Sequence, residues 1–237
     1  VDVSDVVLVA RGDLGMNFGL EEIHDLQRLI IDKCLSKRTP VIVATQLLES
    51  MIENPIPTRA EVVDVSVAIE MGVDALMLTG ETSVGKYPLE AVRWLKRIVD
   101  HVELNLEKFA DKITAKARSD IDEVKLRFAK GVLELAEDLR AKLLVFSMHG
   151  NTARMIASLK PMVPVYVASP NIKVLRRLSI LWGLHTTSVE AGNYEEGLEM
   201  TLKKSIEKGL VGYGEYVVLT YGLKEPRQRV EILRVEM

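Results

Sequence analysis

Three times in the first hundred residues a short apolar run gives way to polar residues and then to a stretch of helical periodicity. The runs are Val6–Ala10, Val41–Ala44 and Asp74–Thr79. They are continuous rather than alternating, which predicts strands covered on both faces, as in a parallel sheet. Between the first two, Leu20–Ser36 places Leu20, Ile23, Leu26, Ile30 and Cys34 at helical spacing. A loop holding Pro55 and Pro57 leads into a second helix, from Thr58 to about Met71, where Gly72 stops it. Thr58 and Glu61 have capping-box spacing at its start. Pro88 opens a third helix, expected to reach Ala110. Strand, loop and helix repeated three times, with the polar ends on one side, is parallel α/β architecture.

The pattern fades across Ile113–Asp122, a charged segment and the candidate domain boundary. The domains are expected at residues 1–117 and 118–237. In the second, helices are predicted over Val124–Leu139, Thr152–Leu159, Ile172–Trp182 and Tyr194–Lys208. Strands are predicted over Leu143–Ser147, Val163–Ala168, His185–Val189 and Tyr216–Thr220, with Arg229–Val235 a last, antiparallel edge strand. Three βα units alone leave two open sheet edges, which a barrel does not tolerate. The sequence also enters its first strand almost at once after Val1. Both features predict the C-terminal part of a longer protein.

Composition adds mainly exclusions. Of the 237 residues, 48% are hydrophobic and 27% charged, a balance that suits a globular fold. A net charge of -3 and the lack of a basic run with interleaved aromatics give no case for nucleic acid. Cys34, the single cysteine, rules out an internal disulfide and fits a reducing cytoplasm. It sits on the apolar helix face as a small core residue. No apolar run approaches the roughly 20 residues that span a bilayer, and no signal-peptide pattern opens the chain.

The candidate chemistry sits at the strand ends. In Ala10-Arg-Gly-Asp13, glycine lets the backbone approach a ligand, and amides opening a helical turn would bind a carboxylate or phosphate. Asp13 beside them suits Mg²⁺, which takes one or two protein carboxylates plus substrate oxygens; its blander role is to cap the next turn. Arg11 on residue type alone is a structural ion pair, with Glu49 or Glu81. Thr45, ending the second strand, could move a proton, but an unaided hydroxyl is a poor acid. Thr79 and Glu81 at the third strand end could supply a relay. Taken singly, each hydroxyl is more simply bonded to its own backbone.

Three segments carry a resemblance to the pyruvate kinase family: VARGDLG (9–15), PVIVATQLLESMIENPIPTRAE (40–61) and GVDALMLTGETSVGKYPLEAV (72–92). Residues 124–237 resemble, more loosely, that family's C-terminal α/β domain. The resemblance implies the last three βα units of a (β/α)8 TIM-type barrel followed by a separate α/β domain. It implies phosphoryl transfer from phosphoenolpyruvate to ADP, giving pyruvate and ATP in glycolysis, by a cytoplasmic homotetramer using Mg²⁺ or Mn²⁺ and K⁺. Asp13 would be the metal ligand, and the backbone from Ala10 through Arg11 and Gly12 to Asp13 the substrate-carboxylate site. Thr45 would lie beside the carbon that is protonated, with Thr79, in place of a usual serine, and Glu81 on the proton path. The family's phosphoryl-binding lysine, its second metal carboxylate and its nucleotide-closing domain match nothing in the chain. The chain alone is therefore expected to be inactive. Val84 stands where many members have lysine, with Lys86 nearby as a substitute cation.

The resemblance also marks Ser147, Gly150, Asn151 and Thr152, at a helix N-terminus, as an effector-phosphate loop for allosteric control. Met148 and His149 replace two polar positions there, so a ligand other than fructose bisphosphate, or none, is expected. Two alternatives fit less of the sequence: another metal-dependent enolpyruvate barrel, such as an aldolase, and a non-catalytic module that binds a phosphorylated ligand.

Overall fold

The structure is a computed structural model and describes residues 1–106, 120–222 and 229–236. The chain divides into two compact units, Val1–Lys108 and Phe109–Met237. The boundary expected between 117 and 118 lies outside the described residues, as does the predicted extension of the third helix to Ala110.

In the first unit, strands β1 (Val7–Ala10), β2 (Val41–Ala44) and β3 (Ala75–Met77) form a parallel sheet in that order. Val9, Val41, Val43 and Ala44 are buried, as continuous apolar strands require. The helical turn expected after β1 is a full helix, α1 (Arg11–Asn17), entered directly from the strand. Helix α2 (Ile23–Lys37) follows a single 3₁₀ turn over Leu20–Glu22. Its buried residues are Gln27, Ile31 and Cys34, and the predicted positions Ile23, Leu26 and Ile30 flank them partly buried on the same side; of the predicted stripe only Leu20 is exposed. Leu20 lies in the 3₁₀ turn, whose three residues per turn take it off the face that the α-helix presents.

Helix α3 (Arg59–Glu70) starts on the predicted capping box, with the Thr58 hydroxyl accepting from Glu61 N–H and the Glu61 carboxylate accepting from Thr58 N–H. Short helix α4 (Gly80–Ser83) and long α5 (Pro88–Asn105) complete the unit. The Asp74 carboxylate, accepting from Val41 N–H at 3.0 Å, ties the start of β3 to β2.

The second unit runs α6 (Asp120–Asp138), β4 (Lys142–Phe146), α7 (Asn151–Ser158), β5 (Val165–Ser169), α8 (Ile172–Leu178), β6 (Leu184–Ser188), α9 (Tyr194–Glu207), β7 (Tyr216–Thr220) and β8 (Val230–Arg234). Helix α8 stops at Leu178, four residues short of its predicted end. The strand order is β6-β5-β4-β7-β8, all parallel except β8, which pairs antiparallel with β7 as predicted. Alternate residues of β4 feed two cores. Leu143 and Val145 pack with α6 and α7 residues, while Leu144 and Phe146 pack with α9 residues on the other face.

Candidate active site

Parallel pairing brings the polar strand ends together. Ala10 is opposite Ala44, and Ala44 is opposite Met77. Just beyond them lie Arg11–Asp13, Thr45–Gln46 and Thr79–Glu81. Ala10 is the N-cap of α1, so the first amides of that helix have no intrahelical acceptor. One of them, Gly12 N–H, donates to Thr45 Oγ1 at 3.1 Å. Because the hydroxyl accepts here, its own proton remains available for donation. Asp13 lies in the first turn of α1 but does not cap it. Its carboxylate is exposed and makes no hydrogen bond to another described residue.

Thr45 and Gln46 both have left-handed backbones, with φ of 69° and 54°. For a β-branched threonine that conformation costs on the order of 1–3 kcal/mol and must be held by its surroundings. Arg11, only 6% exposed, holds it. Its Nε donates to Thr45 O at 3.2 Å, and its Nη2 donates to Thr45 O at 2.9 Å and Gln46 O at 2.7 Å. Nη1 forms an ion pair with Asp64 of α3. The pairing predicted with Glu49 or Glu81 is not formed: Glu49 is exposed, and Glu81 is engaged elsewhere.

Glu81, 1% exposed, accepts from Leu48 N–H at 3.0 Å through Oε1 and from Thr79 N–H at 2.8 Å through Oε2. The Thr79 hydroxyl approaches Oε2 at 3.5 Å. The structure thus joins Thr79 to Glu81 and both to the loop after β2. Among the described hydrogen bonds, none extends this pair to Thr45. Val84 is exposed, and the Lys86 ammonium is held in a surface ion pair with Glu53.

A divalent cation held by one or two protein carboxylates and completed by substrate oxygens fits the exposed, unpartnered Asp13. Among the described residues no cluster of three potential metal ligands occurs.

The second unit has its own candidate site. Strand order reverses between β4 and β7, the switch point where open α/β sheets bind ligands beyond their strand ends. A cavity of about 100 Å³ opens there, lined by Ser147, Asn151 and Thr152 of the predicted loop and by Lys125, Tyr194 and Tyr221. Gly150, the N-cap of α7 with φ of 81°, donates its N–H to the buried Ser147 Oγ at 3.0 Å. Lys125, Tyr194 and Tyr221 come from α6, α9 and the end of β7. No local motif marked them; only the sheet order gathers them.

Strand-end chemistry on successive βα units, followed in sequence by a doubly wound sheet, defines the class: a (β/α)8-barrel segment with an appended α/β domain. Residues 1–92 match the family model described as pyruvate kinase, barrel domain, and residues 127–236 match pyruvate kinase, alpha/beta domain. The chain belongs to the pyruvate kinase family. It is 47% identical to a pyruvate kinase of Pyrobaculum aerophilum over 94% of its own length and 45% of that protein's. With a pyruvate kinase of Thermotoga maritima it shares 42% identity over 94% of this chain and 47% of that one. The crystal structure of pyruvate kinase from Pyrobaculum aerophilum superposes with a TM-score of 0.80 at 45% identity, covering 97% of this chain and 51% of that one. A pyruvate kinase structure from Cryptosporidium parvum gives a TM-score of 0.88 at 33% identity, covering 98% and 47%. The chain therefore spans about half the length of the curated relatives it matches.

Proposed function

We propose that this chain supplies the metal-binding and proton-donating part of a pyruvate kinase active site, which transfers the phosphoryl group of phosphoenolpyruvate to ADP. The observation that supports this reading is the Gly12–Thr45 bond, in which the hydroxyl accepts from the amide that precedes Asp13 in the chain and keeps its own proton for donation. Asp13 would hold Mg²⁺ or Mn²⁺, which would stabilise negative charge on the enolate and the transferring phosphoryl group. The α1 amides orient the substrate carboxylate. When the phosphoryl group leaves, the Thr45 hydroxyl delivers a proton to the methylene carbon and enolpyruvate becomes pyruvate. Thr79 and Glu81 stand one strand further along the proton path, and reaching Thr45 from there takes a water. No residue of this chain is assigned to K⁺.

The same reading makes the working protein a cytoplasmic, glycolytic homotetramer. It takes the phosphoryl-binding lysine and second metal carboxylate from outside this chain, so the chain alone gives no turnover. In the second unit, the cavity at the β4/β7 switch point supports an allosteric site for a phosphorylated small molecule, held by Ser147, Gly150, Asn151 and Thr152.

The test is pyruvate formation from phosphoenolpyruvate and ADP with Mg²⁺, using the full translation product that contains this chain. Asp13→Asn is expected to lower kcat by about 10²-fold or more. Thr45→Val is expected to cost roughly 10²–10⁴-fold, the range for a lost proton donor. Full activity in either variant would remove that residue from the mechanism, and inactivity of the well-folded parent protein would remove the kinase reading itself.

A further inference from the structure

Arg11 opens α1 at the candidate substrate site, yet its guanidinium is committed to the protein. Nε and Nη2 make three bonds to the Thr45 and Gln46 carbonyls, and Nη1 pairs with Asp64. Such a fork has five N–H donors, and no bidentate face is left to grip a substrate anion. Its bonds instead hold two consecutive left-handed residues, a backbone that side chains rarely adopt. That turn aims the Thr45 hydroxyl at Gly12 N–H. Asp64 is the counter-charge that makes burial of the clamp tolerable, since a buried guanidinium without a partner is costly. It reaches Arg11 from α3, and its own side chain is 42% exposed.

We propose that Asp64 is a positioning residue: through Arg11 it fixes the Thr45–Gln46 turn and so the angle and distance from which the Thr45 hydroxyl delivers its proton. This inference rests on the kinase reading for its catalytic consequence but not for its structural one. Gly12 is the second residue of α1, so its amide has no intrahelical acceptor and Thr45 Oγ1 is its partner. Its hydrogen exchange therefore reports the clamp without any turnover.

The experiment compares Asp64→Asn, Asp64→Glu and Thr45→Val, and the double variant Asp64→Asn with Thr45→Val, in the full translation product. In Asp64→Asn, exchange at Gly12 N–H is expected to rise at least tenfold while Val43 N–H, in the middle of β2, stays unchanged. The kcat for pyruvate formation is expected to fall at least tenfold, with KM for phosphoenolpyruvate within twofold of the parent. Asp64→Glu recovers most of both, because it restores the carboxylate. In the Thr45→Val background, Asp64→Asn changes kcat less than twofold, since the group it positions is already gone. Unchanged Gly12 exchange overturns the proposal. So does a kcat loss that multiplies fully with that of Thr45→Val, or a raised KM at constant kcat, which would make Arg11 a substrate ligand. If Asp64→Asn does not fold, Asp64→Ser takes its place with the same expected changes in Gly12 exchange and kcat, and parent-like values of both sink the idea. A parent protein without kinase activity refutes the kinase reading, and Gly12 exchange then decides the clamp by itself.

Discussion

Glu81 illustrates how much one buried carboxylate can organise. A carboxylate so fully buried is normally paired with a cation; Glu81 instead takes two backbone amides, Leu48 N–H and Thr79 N–H, one on each oxygen. Both donors lie beyond strand ends, so the side chain fixes the loop after β2 against the loop after β3. Glu81→Gln keeps the shape but turns one oxygen into an NH₂ that must face an N–H donor. A buried donor left without an acceptor costs roughly 1–3 kcal/mol, so the variant is expected to melt several degrees below the parent by circular dichroism. An unchanged melt would mean that the loops hold each other without it. Which acid serves Arg11 was not legible in the sequence for the same reason. Glu81 sits in the motif and looks available, but the two amides that occupy it come from the backbone, which no motif displays. Asp64, the true partner, lies 53 residues from Arg11 in what reads as an ordinary helix face.

At the scale of elements, most of the architecture was written in the apolar pattern. The continuous run Leu143–Phe146 is buried on both faces because helices cover both sides of its sheet. The misses are Arg11–Asn17, a polar, glycine-containing stretch that forms a whole helix where one turn was expected, and Leu20, which falls in a 3₁₀ turn and is exposed. The start of α3 was fully legible, and it predicts a pH response. Burial of Glu61 raises its pKa, but hydrogen bonds from Ser50 and Thr58 outweigh that and hold it below its ordinary 4.5. A depressed carboxylate contributes stability that is present above its unfolded pKa and is lost as pH falls through its folded one. Unfolding of the parent monitored by urea should therefore lose stability on acidification just below pH 4.5, and Glu61→Gln should lose less over that window. Equal losses would place the acid sensitivity elsewhere.

At the scale of the whole molecule, the two units differ in how completely they cover their own sheets. In the second, a five-stranded sheet has an apolar core on each face and ends in an antiparallel strand of alternating exposure. In the first, three strands leave Leu8 of β1 and Met77 of β3 at 44% and 40% exposure, with Met16 and Leu20 more exposed still. A sheet with open edges and exposed apolar side chains has less burial to resist opening, so the 237-residue chain as it stands is expected to unfold in two steps, first unit first. Its two tryptophans separate the steps, because Trp94 lies in α5 and Trp182 packs in the second unit, with Nε1 donating to Pro161 O at 3.1 Å. Trp182→Phe should leave fluorescence that reports the lower transition, and Trp94→Phe the upper. Gly197→Ala supplies the control. Replacing a helical glycine by alanine ordinarily gains up to about 1 kcal/mol, but a Cβ at Gly197 of α9 would overlap the ring of Phe146 on β4. Overpacking of that kind costs roughly 1–3 kcal/mol, so the clash wins and the upper transition alone should fall. A single melt seen equally by both tryptophans, and moved as a whole by Gly197→Ala, would show instead that the units share one cooperative transition and that the open edges of the first sheet are no weakness.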